Sequence, residues 1–298
     1  MPWLQVHLLA PRADTEAVED ALLDCGAVSV TLADSADNPI LEPGVGETPL
    51  WETVKVTGLF ELPADRALIA AQFVALQPGF GAADLHWEEV ADQPWERAWM
   101  DHFEPIQCGG RLWICPSWRE PPDPDAVNLR LDPGLAFGSG THPTTFLCLE
   151  WLDGIDLAGT TVIDYGCGSG ILGIAALLLG ADRVIAVDND PQALIATRDN
   201  LERNGLGAER LSTHLPADMP AASADILVAN ILAGPLISLA PRLDQLTRPG
   251  GRLCLSGLTL DQAQAVMAAY PGFRFEPIAR RDDWVRLGAR KDAGGSGS

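Results

Sequence analysis

Basic side chains are scarce in this chain of 298 residues. Its 20 Lys and Arg stand against 41 Asp and Glu, a formal net charge of −21 and a pI near 4.4. Phosphate binding needs clustered Lys and Arg, so the shortage argues against direct nucleic-acid binding. The same charge attracts a basic partner and repels a free polyanion, although acidity can also serve solubility alone. Long hydrophobic runs are missing too, and the N-terminus lacks a basic-then-apolar leader, so the expectation is a cytoplasmic protein with no membrane span. No C-x-x-C spacing occurs. Cys25, Cys108, Cys115, Cys148, Cys167 and Cys254 fall mostly within apolar segments and read as reduced core residues. The five histidines are scattered, so no metal site is expected.

What is present is a hydrophobic fraction of 47%, enough for real cores, on a length that suits two domains. The most informative stretch runs from Thr161 to Asp188. Val162 and Ile163 lead into Asp164, glycines follow at Gly166, Gly168 and Gly170, and Ile171 to Leu179 has helical character before the stop at Gly180. A second β-branched run, Val184 to Val187, closes on Asp188. This is half of a nucleotide-binding βαβ unit. Glycines bring a ligand close to the main chain, and N–H groups at the helix start favour a carboxylate or phosphate. An acid at the tip of the second strand can accept ribose hydroxyls. Asp164 can hold the turn through backbone N–H groups or meet a ligand's ammonium.

Register chooses the cofactor. GSGILG, from Gly168 to Gly173, matches the dinucleotide pattern G-x-G-x-x-G, but its first glycine lies four residues past Asp164, too far from a strand ending near Tyr165. Read from Asp164, DYGCGSG is the D-x-G-x-G-x-G loop of S-adenosylmethionine-dependent methyltransferases, with Asp188 at the ribose position. NAD and a purely structural turn are the weaker alternatives.

Residues 1–90 read as strand, helix, strand, strand, helix, strand: the split-βαβ, ferredoxin-like order, expected to recognise a substrate. Asp34 to Pro49 is a Pro- and Gly-rich loop within it. Residues 91–106 form a helical linker, with Trp95, Trp99 and Phe103 on one face. Residues 107–291 alternate strand and helix and end in an antiparallel hairpin, Phe273 to Ile278 with Asp283 to Ala289, so an α/β doubly wound sheet with a mixed edge is expected. Residues 292–298 are a flexible tail. Within the catalytic part, Pro235 to Leu246 reads as one helix and Pro249 to Gly251 as a turn.

Two further stretches carry polar chemistry. DPGLAFGSGTHPTT, from Asp132 to Thr145, is a glycine loop running into a helix start, where hydroxyls and free N–H groups suit polar ligand atoms; His142 reads as a turn residue. Asn230-Ile231-Leu232-Ala233 leaves a buried strand, Asp225 to Ala229, at the carboxyl edge where doubly wound sheets bind ligands. Many amino-methyltransferases carry Asn/Asp-Pro-Pro-Tyr/Phe there, with oxygens accepting from the target nitrogen and an aromatic stacking on its planar group. This chain keeps the Asn without the prolines or the aromatic. That argues for an aliphatic amine over adenine or a glutamine amide, oriented by Asn230 and the Leu232 carbonyl.

GLAFGSGTHPTT, DYGCGSGILGIAA and VANILAGPL, in this order behind a ferredoxin-like domain, resemble the bacterial methyltransferases of large-subunit ribosomal protein eleven over nearly the whole chain. The resemblance implies S-adenosylmethionine contacts at Thr145, Gly166, Asp188 and Asn230, beside Gly168 and Asp164 in the glycine loop. It implies methylation of several amines, on lysine side chains, the N-terminus or both, of one basic ribosomal protein presented by the N-terminal domain and linker. A monomer is expected. Methylation of another protein, RNA or a small-molecule amine stands as the alternative.

Overall fold

The computed structural model of the chain describes residues 3–35, 51–90, 104–132 and 142–293. The chain divides into two compact units, residues 1–101 and 102–298. The loop expected within 34–49 and the aromatic stripe of the linker lie mostly or wholly outside the described residues.

In the first unit the elements are β1 (Trp3–Pro11), α1 (Thr15–Asp24), β2 (Ser29–Asp34), β3 (Thr53–Glu61), α2 (Arg66–Leu76) and β4 (His86–Val90). The sheet order is β2-β3-β1-β4 with every pair antiparallel, a ferredoxin-like arrangement. Strict alternation drives it: Leu4, Val6, Leu8 and Ala10 are buried while their neighbours face outward. Val18 and Leu22 of α1 and Ile69 and Phe73 of α2 join them in one core. Each such side chain contributes roughly 1.5–3 kcal/mol on burial. The Asp65 carboxylate accepts from the Ala67 and Leu68 N–H groups and starts α2.

The second unit begins with a small sheet, β5 (Ile106–Cys108), β6 (Leu112–Cys115) and β7 (Val127–Arg130). Then follow α3 (Pro143–Asp153), β8 (Thr161–Tyr165), α4 (Ile171–Leu178), β9 (Arg183–Val187), α5 (Pro191–Arg203), β10 (Leu211–His214) and β11 (Ala224–Asn230). The chain continues through α6 (Ala233–Ser238), α7 (Ala240–Leu246), β12 (Thr247–Thr259), α8 (Ala263–Ala268), β13 (Phe273–Phe275), β14 (Ala279–Arg281) and β15 (Trp284–Lys291). The main sheet runs β10-β9-β8-β11-β12-β15-β13, with β14 also on β15. It is parallel from β10 to β12 and antiparallel beyond. The chain winds one way from β8 to β9 and the other way to β11, so the switch point opens at the carboxyl ends of β8 and β11.

Successive strand residues feed opposite cores. Val162, Val184 and Val228 pack toward α3, α4 and the small sheet, whereas Ile163, Ile185 and Leu227 pack toward α6, α7 and α8. Asp225 ties strand starts together: it accepts from the Thr161 N–H at 2.8 Å and pairs with Arg248 at 2.7 Å.

Three local expectations need correction. The single helix over 235–246 is two, α6 and α7, meeting at Leu239, because Pro241 has no N–H to continue the ladder. The turn at 249–251 sits inside β12, where pairing with β11 jumps from Ala224–Thr247 to Ile226–Arg252. The first arm of the terminal hairpin, expected over Phe273 to Ile278, ends at Phe275 ahead of Pro277, and a separate short strand, β14, begins at Ala279. All six cysteines are free thiols, five of them buried. Among the described residues, no helix is long and apolar enough to cross a membrane.

Candidate active site

A cavity of about 620 Å³ opens at the switch point, lined by residues that include Tyr165, Gly166, Asp188, Asn230, Leu232 and Trp284. The loop after β8 is tied to the next strand: the Gly166 and Cys167 N–H groups both donate to the Val187 carbonyl, at 2.7 and 3.1 Å. Gly166 takes a φ of +80° and packs directly against the Ile231 side chain, where a Cβ would collide.

Asp188 closes the loop. Its Oδ2 accepts from the Gly168 N–H at 2.9 Å and its Oδ1 from the Asp190 N–H at 3.0 Å. A carboxylate offers about four lone-pair sites, so two remain for ligand hydroxyls. Two residues of α5 complete the loop and were not singled out from the sequence. Thr197 donates its hydroxyl to the Gly168 carbonyl at 3.1 Å, and Asn200 donates its amide to the Ser169 carbonyl at 2.8 Å. Helical spacing i, i+3 on α5 was the available signal.

Asp164 lies behind this loop, only 1% exposed, and does not line the cavity. Its Oδ2 accepts a backbone N–H, that of Gly173 in the first turn of α4, at 2.9 Å. Gly173 therefore serves close helix–strand packing and not a phosphate. Oδ1 has no partner, and burial pushes the Asp164 pKa from 3.8 up to about 7. A folded-state pKa above the unfolded one means the folded chain holds the extra proton, so this contribution to stability is full below 3.8 and lost as pH rises through about 7. Asp164→Asn keeps an acceptor for Gly173 and removes the titration. Chemical denaturation at pH 5 and pH 8 is expected to show a smaller pH-dependent loss of stability in this variant than in wild type.

Opposite the glycine loop, Asn230 ends β11. Its Nδ2 donates to the Thr145 hydroxyl at 3.2 Å, while its Oδ1 is buried with no hydrogen-bond partner. Thr145 itself is fully buried and orients Asn230; its neighbour Thr144 lines the cavity. His142 caps α3, with Thr144 N–H donating to Nδ1 at 3.3 Å, and burial lowers its pKa below the ordinary 6.5. Leu232 stands at the rim, 48% exposed, and its carbonyl already accepts the Leu236 N–H at 3.1 Å. One lone pair remains on that carbonyl, so Asn230 Oδ1 is the stronger candidate acceptor. Residues 133–141 of the threonine-rich loop lie outside the described residues.

The donor set fits S-adenosylmethionine. Asp188 has lone pairs for ribose hydroxyls, the Gly166 backbone forms a cradle that a Cβ would fill, and the orphaned Asn230 Oδ1 waits for a polar partner. Seated at the switch point of a doubly wound sheet, with an acid on the neighbouring strand and an amide acceptor across from it, this is the layout of S-adenosylmethionine-dependent methyltransferases, and the chain is an enzyme of that class.

A sequence model of the ribosomal protein L11 methyltransferase (PrmA) family matches residues 2–292, and the chain belongs to that family. It is 58% identical to a ribosomal protein L11 methyltransferase of Cellvibrio japonicus, over 98% of this chain and 99% of that one. A namesake from Pseudomonas aeruginosa is also 58% identical, over 98% of this chain and all of its own length. Among solved structures, a ribosomal protein L11 methylase from Lactobacillus delbrueckii subsp. bulgaricus superposes with a TM-score of 0.58 at 34% identity. That match spans 64% of this chain and all of the other.

Loss of the Asp188 carboxylate removes a charged acceptor worth roughly 1.5–3 kcal/mol and frees two loop N–H groups. Asp188→Ala is expected to weaken S-adenosylmethionine binding about ten- to over a hundredfold, read by calorimetric titration.

Proposed function

We propose that this enzyme transfers methyl groups from S-adenosylmethionine to amines of ribosomal protein L11, on lysine side chains, the N-terminus or both. The observation that carries the amine reading is the buried, unpartnered Asn230 Oδ1 in the same cavity as Asp188. It can accept from an N–H and cannot donate, as an amine requires. Charge supports a basic protein substrate. The first 90 residues hold 3 Lys and Arg against 15 Asp and Glu, so the ferredoxin-like unit would attract a cationic partner. We assign substrate recognition to residues 1–90, the connection to residues 91–106 and catalysis to residues 107–291. We also propose that the enzyme acts in the cytoplasm and as a monomer.

When bound, the cofactor supplies a methyl group on sulfonium. The chain's part is to hold the amine. A lysine ammonium, with a reference pKa near ~10.4, has no lone pair until a proton leaves. Of the described titratable groups that line the cavity, Asp188 holds the Gly168 and Asp190 N–H groups and His142 Nδ1 caps α3, so in this reading water takes the proton while Asn230 Oδ1 and the Leu232 carbonyl align the nitrogen. Alignment alone can account for ~7–11 kcal/mol of a barrier in favourable cases.

The test is a methyl-transfer assay with labelled S-adenosylmethionine on purified ribosomal protein L11, ribosomal RNA and a metabolite fraction. Label is expected in the protein, on lysine or N-terminal nitrogen by mass spectrometry. Label confined to RNA or metabolites overturns the substrate.

A further inference from the structure

The Asn230 stretch lacks the aromatic that stacks on the target in many amino-methyltransferases, yet a large aromatic residue does line the cavity. Trp284, the first residue of β15, lines it together with Asn230 and Leu232. Three features hold this indole in place. A two-residue turn, Asp282-Asp283, joins β14 to β15, and Asp282 adopts a φ of +55°, alone among described non-glycine residues in taking a positive φ. The β12–β15 register shifts between Leu255 and Leu258, which sets Trp284 opposite Thr259 at the carboxyl edge. The hairpin is also pinned to α3: the Arg281 guanidinium lies 3.7 Å from the Phe146 ring centre, and Trp284 meets His142 edge-on with centroids 4.8 Å apart. Leu232, Pro235 and Leu239 form an aliphatic wall of the same cavity.

We propose that Trp284 is a substrate-positioning residue that holds the target nitrogen by its π face, and that its weight grows as the nitrogen acquires methyl groups. The inference rests on the amine-methyltransferase reading above. Each transfer forms one N–C bond, breaks one S–C bond whose electron pair stays on sulfur, and releases one proton from nitrogen to water. The nitrogen then has one N–H fewer to offer Asn230 Oδ1 and the Leu232 carbonyl. A methylated ammonium is larger, more weakly hydrated and still cationic between rounds, which are the properties a tryptophan face attracts. Hydrogen bonding thus carries the first transfer, and Trp284 increasingly carries those that follow.

The test compares full-length wild type, Trp284→Phe and Trp284→Ala on purified ribosomal protein L11. Intact-mass spectra give methyls per amine, steady-state kinetics give KM and kcat, and calorimetry gives S-adenosylmethionine affinity. For Trp284→Ala we expect accumulation of monomethylated amine, a KM for protein raised about tenfold or more, and cofactor affinity within about twofold of wild type. Trp284→Phe is expected to recover most of the higher-methyl product. A wild-type methyl distribution and KM in Trp284→Ala overturns the inference, as does a wild-type product that stops at one methyl per amine. Equal loss in both variants with weakened cofactor binding also overturns it, since that marks a purely structural role. A wild-type enzyme that labels no protein overturns instead the function on which the inference rests.

Discussion

Asn230→Ala is expected to lower kcat for protein methylation about 100-fold or more, with a smaller effect on cofactor affinity than Asp188→Ala. Misplacing a reacting nitrogen by about 1 Å can by itself cost on the order of 100-fold. The substitution deletes a buried side-chain acceptor that, alone among the described residues lining the cavity, has no partner, and strands the Thr145 hydroxyl, which now accepts from Asn230 Nδ2 at 3.2 Å. Asn230→Asp separates acceptance from charge. It keeps an oxygen at the same place but adds a carboxylate, which favours the ammonium over the nucleophilic amine. The Asp variant should therefore be slow near pH 7 and recover toward wild type as pH rises, whereas the Ala variant should stay slow throughout. Rates measured from pH 7 to pH 10 distinguish the two. Parallel profiles would show that Asn230 does not act on the amine.

Gly257→Ala is the second large effect, at a residue far from any motif. Gly257 lies in β12 with a φ of +89°, and its α-carbon sits against the backbone of Ile231. A Cβ there would approach the Ile231 carbonyl carbon to 2.7 Å, closer than real contacts allow, with its nitrogen at a tight 3.0 Å. The left-handed backbone costs an L-residue roughly 1–2 kcal/mol, and overpacking adds about 1–3 kcal/mol. The obstacle is main chain, so relief requires moving the Asn230-Ile231-Leu232 segment itself. Activity should fall about 100-fold or more, with a Tm lowered by several degrees. Gly166→Ala meets the other side of the same residue, but there the obstacle is the Ile231 side-chain Cγ2. It should be milder, and Ile231→Ala should partly rescue it while leaving Gly257→Ala unrescued. Thermal melts and kcat on the four variants check both statements. Comparable damage from the two glycine substitutions would mean that Ile231 is not clamped as the contacts indicate.

Much of the catalytic fold was legible because its signals are local. A buried parallel strand reads as a short β-branched run, and Val162-Ile163, Val184–Val187 and Ile226–Val228 all do. The glycine loop and Asp188 are read from spacing, because a tight turn between strand and helix constrains residues that are neighbours in the chain. The errors lie where a local signal was overruled by pairing. Pro249-Gly250-Gly251 is a good turn sequence, yet β11 and β15 hold strand on both sides of it. The segment from Phe273 to Ile278 was one strand by pattern, and the strand stops at Phe275, ahead of Pro277.

Composition and short-range pattern were enough for the α/β class, for the ferredoxin-like order of the first 90 residues, and for S-adenosylmethionine as the ligand of the glycine loop. Periodicity, turns and loop spacing each depend on residues within one or two elements of each other. Only the folded chain could reveal that Thr145 orients Asn230 across 85 residues, that Gly257 and Gly166 clamp Ile231, and that Trp284 lines the cavity. Those contacts join α3, β8, β11, β12 and β15, which meet only because the sheet winds both ways from β8. No local pattern encodes a contact whose two partners are chosen by strand order and register.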